Sequence, residues 1–274
     1  MPPEGLTQQQ IDRTQRYRDI IAPEHLLATE CAVVGVGAVG HQIALMLAGM
    51  GIGHLTLYDP DKVEGANLGP QRYEPGAIGR PKVYACEDEC ITLNPELDIG
   101  VCHGPSDEDN LPEGLVVFLC VDTMAARRSI AEGLYDQGSE CGLLIDIRMA
   151  AEEMQVISAK WPFEFTKYQE TLFHDSEAPE APCGARATPY CSSIAASLAV
   201  HQMTQFLRDQ DLHGVIALNL QAMVLATSPL VIRGRRGGAA GGPLEKEERL
   251  ELERLLVAEA QEQLDNEGGR VPGV

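Results

Sequence analysis

The sequence predicts a doubly wound α/β fold: a mostly parallel sheet, helices on both faces, and a group of antiparallel strands toward the C-terminal end. Short apolar, β-prone runs at 32–36, 55–58, 98–102 and 115–120 alternate with helix-like stretches at about 38–50 and 79–94, the order of successive strand–helix units. The run at 32–36 is apolar on both faces of the pleat, as a strand buried inside a parallel sheet must be. From 143 the pattern changes to neighbouring strand-like runs at 143–149 and 154–159, a helical apolar stripe through Ile194, Leu198, Met203 and Phe206, and last strands within 214–232.

The turn after the first strand reads Gly35-Val36-Gly37-Ala38-Val39-Gly40. Gly35, Gly37 and Gly40, set between a strand and a helix, permit a tight turn, close approach of a phosphate to the backbone, and tight packing of helix on strand, the Rossmann-like arrangement. Free N–H groups at the start of the following helix favour the phosphate's negative charge. Asp59 lies 19 residues after Gly40 at the tip of the second strand, where an acidic residue binds ribose hydroxyls. Up to this point the chain suits an NAD-dependent oxidoreductase equally well, and a glycine turn that binds nothing is the plainer alternative.

The next residues narrow the chemistry. Asp59, Asp61, Val63, Asn67, Leu68 and Gln71 are followed, after a spacer, by Gly79, Pro81 and Lys82. This resembles the signature of the ThiF/MoeB/E1 superfamily, D-x-D-x-V-x-x-x-N-L-x-R-Q and then G-x-P-K, over a region from about Arg16 to about Asp209. The resemblance implies an ATP-dependent adenylyltransferase that activates the C-terminal carboxylate of a ubiquitin-like or sulfur-carrier protein. It assigns Lys82 to the phosphates, Asp59 to the ribose, Asp61 and Asn67 to the nucleotide's surroundings, and Asp122 to the Mg²⁺ of ATP. One position departs: the family's arginine three residues after the asparagine is Pro70, and the nearest arginine is Arg72. Two readings stay open, that Arg72 reaches the same phosphate from a shifted turn, or that the site lacks this contact.

Asp122 follows the apolar run 115–120, so it stands at the carboxyl end of a central strand, where open α/β sheets place ligand chemistry. A single carboxylate with phosphate oxygens is ordinary Mg²⁺ coordination; a helix N-cap is the alternative role, and Arg127 lies on the helix that follows. Relatives begin with an arginine-bearing helix that reaches across a homodimer to the nucleotide. Here a helix is expected over about 7–20, and ungapped placement picks Arg18, with Arg16 second and solvated surface charge as the other reading.

In relatives, the loop after the strand pair carries either a cysteine that takes the activated carrier as thioester or persulfide, or zinc-binding C-x-x-C pairs. No C-x-x-C occurs, so no structural zinc is expected. The Pro-, Asp-, Glu- and Gly-rich stretch at about 160–190 reads as a mobile crossover over the active site. It contains Cys183 with Arg186 close by in sequence, and a neighbouring cation lowers a thiol pKa. Cys183 is the candidate transfer cysteine and Cys191, at a helix start, the second; both also read as ordinary small residues. Tyr168, Thr171 and Arg186 are candidates for substrate recognition.

Composition agrees. The 274 residues are 44% hydrophobic, enough for one large domain with a sizeable core. A net charge of −20 argues against nucleic-acid or anionic-membrane partners, which require basic surface. No apolar run approaches the ~20 residues of a membrane span, and the start, Met1-Pro2-Pro3-Glu4, lacks a signal peptide. Cys31, Cys120 and Cys141 lie in apolar runs, and Cys86 and Cys90 share one helix face, as reduced core cysteines do; the expected compartment is cytoplasmic. The organisation expected is an adenylation domain over 1–233, a glycine-rich linker at 234–243, and a charged helix and tail at 244–274 whose role stays open. Three rivals remain: an E1-like scaffold without catalysis, an NAD-dependent oxidoreductase, and adenylation of a short peptide or a tRNA base.

Overall fold

The structure, a computed structural model, describes residues 6–106, 111–175 and 187–230. Eight strands form one sheet in the order β3-β2-β1-β4-β5-β6-β7-β8: β1 Glu30–Val34, β2 His54–Tyr58, β3 Asp98–Cys102, β4 Val116–Leu119, β5 Leu143–Ala150, β6 Glu153–Lys160, β7 Val215–Asn219 and β8 Val224–Ser228. The first five run parallel, and β5 through β8 are antiparallel.

The pleat of β1 divides the core. Cys31 and Val33 face one layer, made by α3 (Gly40–Met50), α5 (Lys82–Leu93) and α8 (Pro189–Leu207); Ala32 and Val34 face the other, made by α6 (Met124–Asp136) and α7 (Phe165–Gln169). Every residue of β4 is buried on both faces, which makes it the central strand. Emptying that position by Phe118→Ala would cost about 3–5 kcal/mol. The chain turns off α3 at Gly51, whose φ of 84° and N–H bonds to Leu47 and Ala48 form a left-handed cap. α5 begins at Lys82, not at 79, because Gly79 has a φ of 87° and Pro81 is the N-cap.

Two expectations change. The helix expected over 7–20 is a short α1 (Gln8–Thr14), followed by turns and a second helix α2 (Pro23–Leu27). Thr14 bends its hydroxyl back to Gln10 O, Tyr17 hydrogen-bonds Met50 O, and Arg13 holds Gly49 O and Leu93 O; the segment wraps the C-terminal end of α3 instead of extending. Within 160–190, α7 buries Tyr168, while Trp161 and Leu172 are buried beside it, so apolar anchoring orders residues through Asp175. The last strand among the described residues ends at Ser228. The stretches 234–243 and 244–274 lie outside the described residues, and no helix among the described residues is long and apolar enough to cross a membrane.

Candidate active site

β1 sits between β2 and β4, and the chain leaves it toward β2 and β3 on one side before crossing to β4 and β5 on the other. That reversal is the switch point at which α/β sheets bind ligands, outside the carboxyl ends of the strands. Gly35 has a φ of 88°, and a Cβ there would lie 2.7 Å from Cys120 O, so the loop after β1 presses on the loop after β4. A Cβ on Gly40 would lie 1.8 Å from Gly35 O, which seats the first turn of α3 on the loop. Gly37 differs: a Cβ would meet only the Gln71 side-chain amide, 4.0 Å away. The outer side of the loop is thus open where a phosphate would approach.

On the β2 side, Asp59 is buried and braces the loop. Its carboxylate accepts from Val36 N at 2.8 Å and from Asp61 N at 2.8 Å. Each oxygen keeps a further lone pair for a hydroxyl. Burial pushes the Asp59 carboxyl above its usual range, with the charge of Lys82 acting the other way. Lys82, at the first turn of α5, has a side chain 8% exposed, and its Nζ donates to Asp61 Oδ2 at 2.8 Å; the Asp61 side chain is 64% exposed. Tyr73 joins the two parts, its buried hydroxyl lying 2.7 Å from Val36 O and 3.5 Å from Lys82 O.

The turn between β2 and α5 spends part of the motif on itself. Asn67 accepts from Glu64 N at 2.8 Å in a reciprocal cap, which leaves its amide N–H groups for other partners. Pro70 lies within α4 (Leu68–Gln71), and Arg72 follows at φ 64°, exposed and without a hydrogen bond or ion pair to a described residue. Gln71 matches the motif, and the sequence alone assigns it no role. Its amide faces Gly37, and its buried Oε1 has no hydrogen-bond partner among the described residues, so it lines the open side of the glycine loop.

On the β4 side, Asp122 is exposed, and its carboxylate is not engaged by any described residue. The cap of α6 is Thr123, whose side chain accepts from Ala126 N, so the alternative role of Asp122 as N-cap is removed. Asp175 also closes that helix end, accepting from Met124 N at 2.7 Å and Ala125 N at 3.2 Å. One exposed carboxylate beside an open phosphate loop fits a hard cation completed by phosphate oxygens and water. Arg127 is not a surface cation: it is buried, 2.7 Å from Asp146.

Arg16 and Arg18 are exposed on the turns anchored at the C-terminal end of α3, whereas the glycine loop is at its N-terminal end, roughly 16 Å away by helix rise. Arg18 is therefore not brought to this site. Cys191 is buried in the first turn of α8, and burial, then Glu152, push its thiol up to about 11, the direction opposite to that of an activated thiol. Cys183 and Arg186 lie outside the described residues. Seven cysteines among the described residues are free thiols; burial pushes Cys31 and Cys120 up, and Cys141 up to about 12.

Comparison with known proteins gives the same frame. The chain is 38% identical to ubiquitin-like modifier-activating enzyme 5 of Caenorhabditis elegans over 131 residues, 42% of this chain and 31% of that protein. It is 32% identical to the molybdopterin-synthase adenylyltransferase of Salmonella typhimurium over 122 residues (43% and 49%). To the sulfur carrier protein ThiS adenylyltransferase of Escherichia coli it is 29% identical over 165 residues (58% and 64%). The matched part thus spans between about a third and two thirds of these relatives. In fold it is similar to Escherichia coli MccB solved with ATP, with a TM-score of 0.65 and 15% identity over 85% of this chain and 74% of that one. PaaA gives the same TM-score at 20% identity over 84% and 76%. The ThiF family model matches residues 19–215, and with the glycine loop, the Asp59–Lys82 cluster and Asp122 around one switch point, the chain belongs to the ThiF family.

Proposed function

We propose that the protein is an ATP-dependent adenylyltransferase that activates the C-terminal carboxylate of a ubiquitin-like or sulfur-carrier protein. The observation that carries this reading is the placement of an open glycine loop, a buried lysine and an exposed aspartate around one crevice. A carboxylate oxygen of the carrier bonds to the α-phosphorus of ATP, the bond from that phosphorus to the bridging oxygen breaks, and pyrophosphate leaves with the electron pair. Such a displacement needs alignment and charge neutralisation more than proton transfer. The loop N–H groups and Lys82 receive the phosphates, with Asp61 giving up its hold on Nζ. Asp59 keeps the loop shaped and takes a ribose hydroxyl. Asn67 and Gln71 turn their amides toward the nucleotide, and Asp122 holds Mg²⁺, which supplies neutralisation of phosphate charge.

The same reading includes a homodimer in which Arg18 reaches the nucleotide of the partner subunit, since its own site is at the far end of α3. Arg72 stands in for the missing family arginine, and the Cys183 thiolate bonds to the acyl carbon of the adenylate while the bond from that carbon to the phosphate oxygen breaks and AMP leaves. The expected compartment is the cytoplasm. Calorimetric titration of Mg·ATP and of NAD into wild type and Lys82→Ala tests the core of this. Binding of ATP that needs Mg²⁺ and weakens in the variant is the expected result. Binding of NAD without ATP would overturn it, and no binding of either would favour a scaffold.

A further inference from the structure

The most heavily bonded charged cluster among the described residues is outside the nucleotide crevice. Asp146, on β5, is fully buried. Its Oδ1 accepts from Arg127 Nε at 2.7 Å, and its Oδ2 accepts from Arg148 Nε at 2.8 Å and from the Tyr168 hydroxyl at 3.1 Å. Each guanidinium has a second job. Arg127 donates to Thr123 O at 3.2 Å and Ile147 O at 3.0 Å; Thr123 is the residue after Asp122. Arg148 donates to Thr171 O at 2.7 Å and Thr171 Oγ1 at 2.9 Å, and Thr171 Oγ1 donates on to Tyr168 O at 2.7 Å. Two strands of bonds therefore leave one carboxylate, one ending at the Asp122 turn and the other at residues 168–171 of the crossover.

We infer that Asp146 is the positioning residue that couples the Asp122 turn to the crossover, so that binding at the turn is felt at residues 168–171. The physical grounds are burial and multiplicity. Two guanidiniums share a single fully buried carboxylate, so neither changes partner without leaving that charge short of its counter-charge. The planar fork of each arginine also fixes direction as well as distance. A shift of the Thr123 carbonyl moves Arg127, which moves Asp146 against Arg148, which carries Thr171. Asp175, bonded to the first N–H groups of α6, adds a second tie between the same two segments. The inference rests on the adenylyltransferase reading only for what binds at the turn.

Amide hydrogen exchange of the full chain tests it, first without ligand. Arg127→Lys and Arg148→Lys each keep a positive charge for Asp146 and remove the fork that holds the outlying segment. Coupling predicts that either variant speeds exchange at both 120–126 and 168–172, by roughly tenfold, while β7 at 215–219 keeps its wild-type rate. Loosening confined to the segment that the altered arginine touches would overturn the proposal. Should a variant loosen β7 as well, Thr171→Val, which removes one bond to Arg148 at the edge of the network, repeats the comparison with less disturbance. The second arm adds Mg·ATP. Slower exchange at 35–42 reports binding at the glycine loop. Slower exchange at 168–172 in wild type, absent in Arg148→Lys, reports transmission. Protection at 35–42 with no change at 168–172 would overturn transmission. No protection at 35–42 would overturn the nucleotide reading, leaving the ligand-free arm to decide the coupling.

Discussion

The Asp61–Lys82 pair of the crevice and the Asp146 network outside it each set a carboxylate against a cation, and they use the arrangement differently. On the β2 side, Lys82 is buried while its partner Asp61 is 64% exposed, so Asp61 can turn to water and leave the ammonium for a phosphate. On the β5 side, Asp146 is 0% exposed and its arginine partners at most 10%, so this carboxylate has no water to turn to. The pKa directions follow. Burial raises Asp59 despite Lys82, whereas burial of Asp146 is overcome by the Arg148 and Arg127 guanidiniums, which hold its carboxyl below the usual range. An ion pair with one wet partner is poised for exchange with a ligand; a closed one fixes the frame around it.

The largest effect expected from breaking this contrast is at Asp146. Asp146→Ala leaves two buried guanidiniums without a carboxylate and should cost about 3–5 kcal/mol in urea unfolding. A loss below about 1 kcal/mol would mean that water enters and that the cluster is not closed. Lys82→Ala should do the opposite, keeping the native circular dichroism while slowing adenylate formation by about 10²-fold. Pyrophosphate exchange with a β-grasp carrier ending in Gly-Gly measures it; an unchanged rate would remove Lys82 from the phosphate site.

Acid separates the two sides further. As pH falls, Asp59, with its raised carboxyl, takes up a proton before the usual carboxylate range is reached. Its protonation relieves the cost of burying a charge, so the fold does not suffer. The stability contributed by Asp146 is present above the usual carboxylate range and is lost only as pH falls through its lower folded value. Mg·ATP affinity should therefore drop at a pH where thermal unfolding and near-ultraviolet circular dichroism are still native. Coincident loss of binding and fold would show that the two carboxylates do not differ as their surroundings imply.

The same contrast explains what was legible in the chain. The β1–α3 turn, Asp59, Lys82 and the strands at 98–102 and 115–120 could be read in advance because their signals are local: glycine spacing, apolar runs, and a motif within one stretch. β3 spans the predicted residues, β2 starts one residue earlier, and β4 is one residue shorter at each end. The Asp146 cluster joins residues far apart in sequence, and Asp146 itself sits inside the apolar run Leu143-Leu144-Ile145-Asp146-Ile147, which reads simply as a strand. The available signal was a charge within an otherwise apolar strand, with Arg148 two residues on and hence on the same face. The break after Thr14 was hidden for a similar reason. Helix propensity persists to residue 20, but Tyr17 and Arg13 are tied to carbonyls of Gly49, Met50 and Leu93, contacts that no local pattern announces.

A surface pair that ties the turn before Lys82 to its helix gives the smallest effect and the sharpest control. Arg80 Nη2 lies 2.7 Å from Asp88 Oδ2, with side chains 46% and 59% exposed. Its geometry matches that of the Lys82 pair, 2.8 Å between the charged atoms, so distance alone would rank them together. Solvent does not: two exposed side chains lose as much in hydration and rotamer freedom as they gain, and such pairs contribute about 0–1 kcal/mol. Arg80 is also the residue between Gly79 and Pro81 of the motif, next but one to Lys82. Arg80→Ala should therefore leave both Mg·ATP affinity and urea stability within about 0.5 kcal/mol of wild type, and the small stability change should vanish in high salt. A loss of affinity approaching that of Lys82→Ala would mean that the guanidinium turns from Asp88 to the nucleotide, and that exposure of one partner, the property that sets the β2 side apart, extends the phosphate site beyond Lys82.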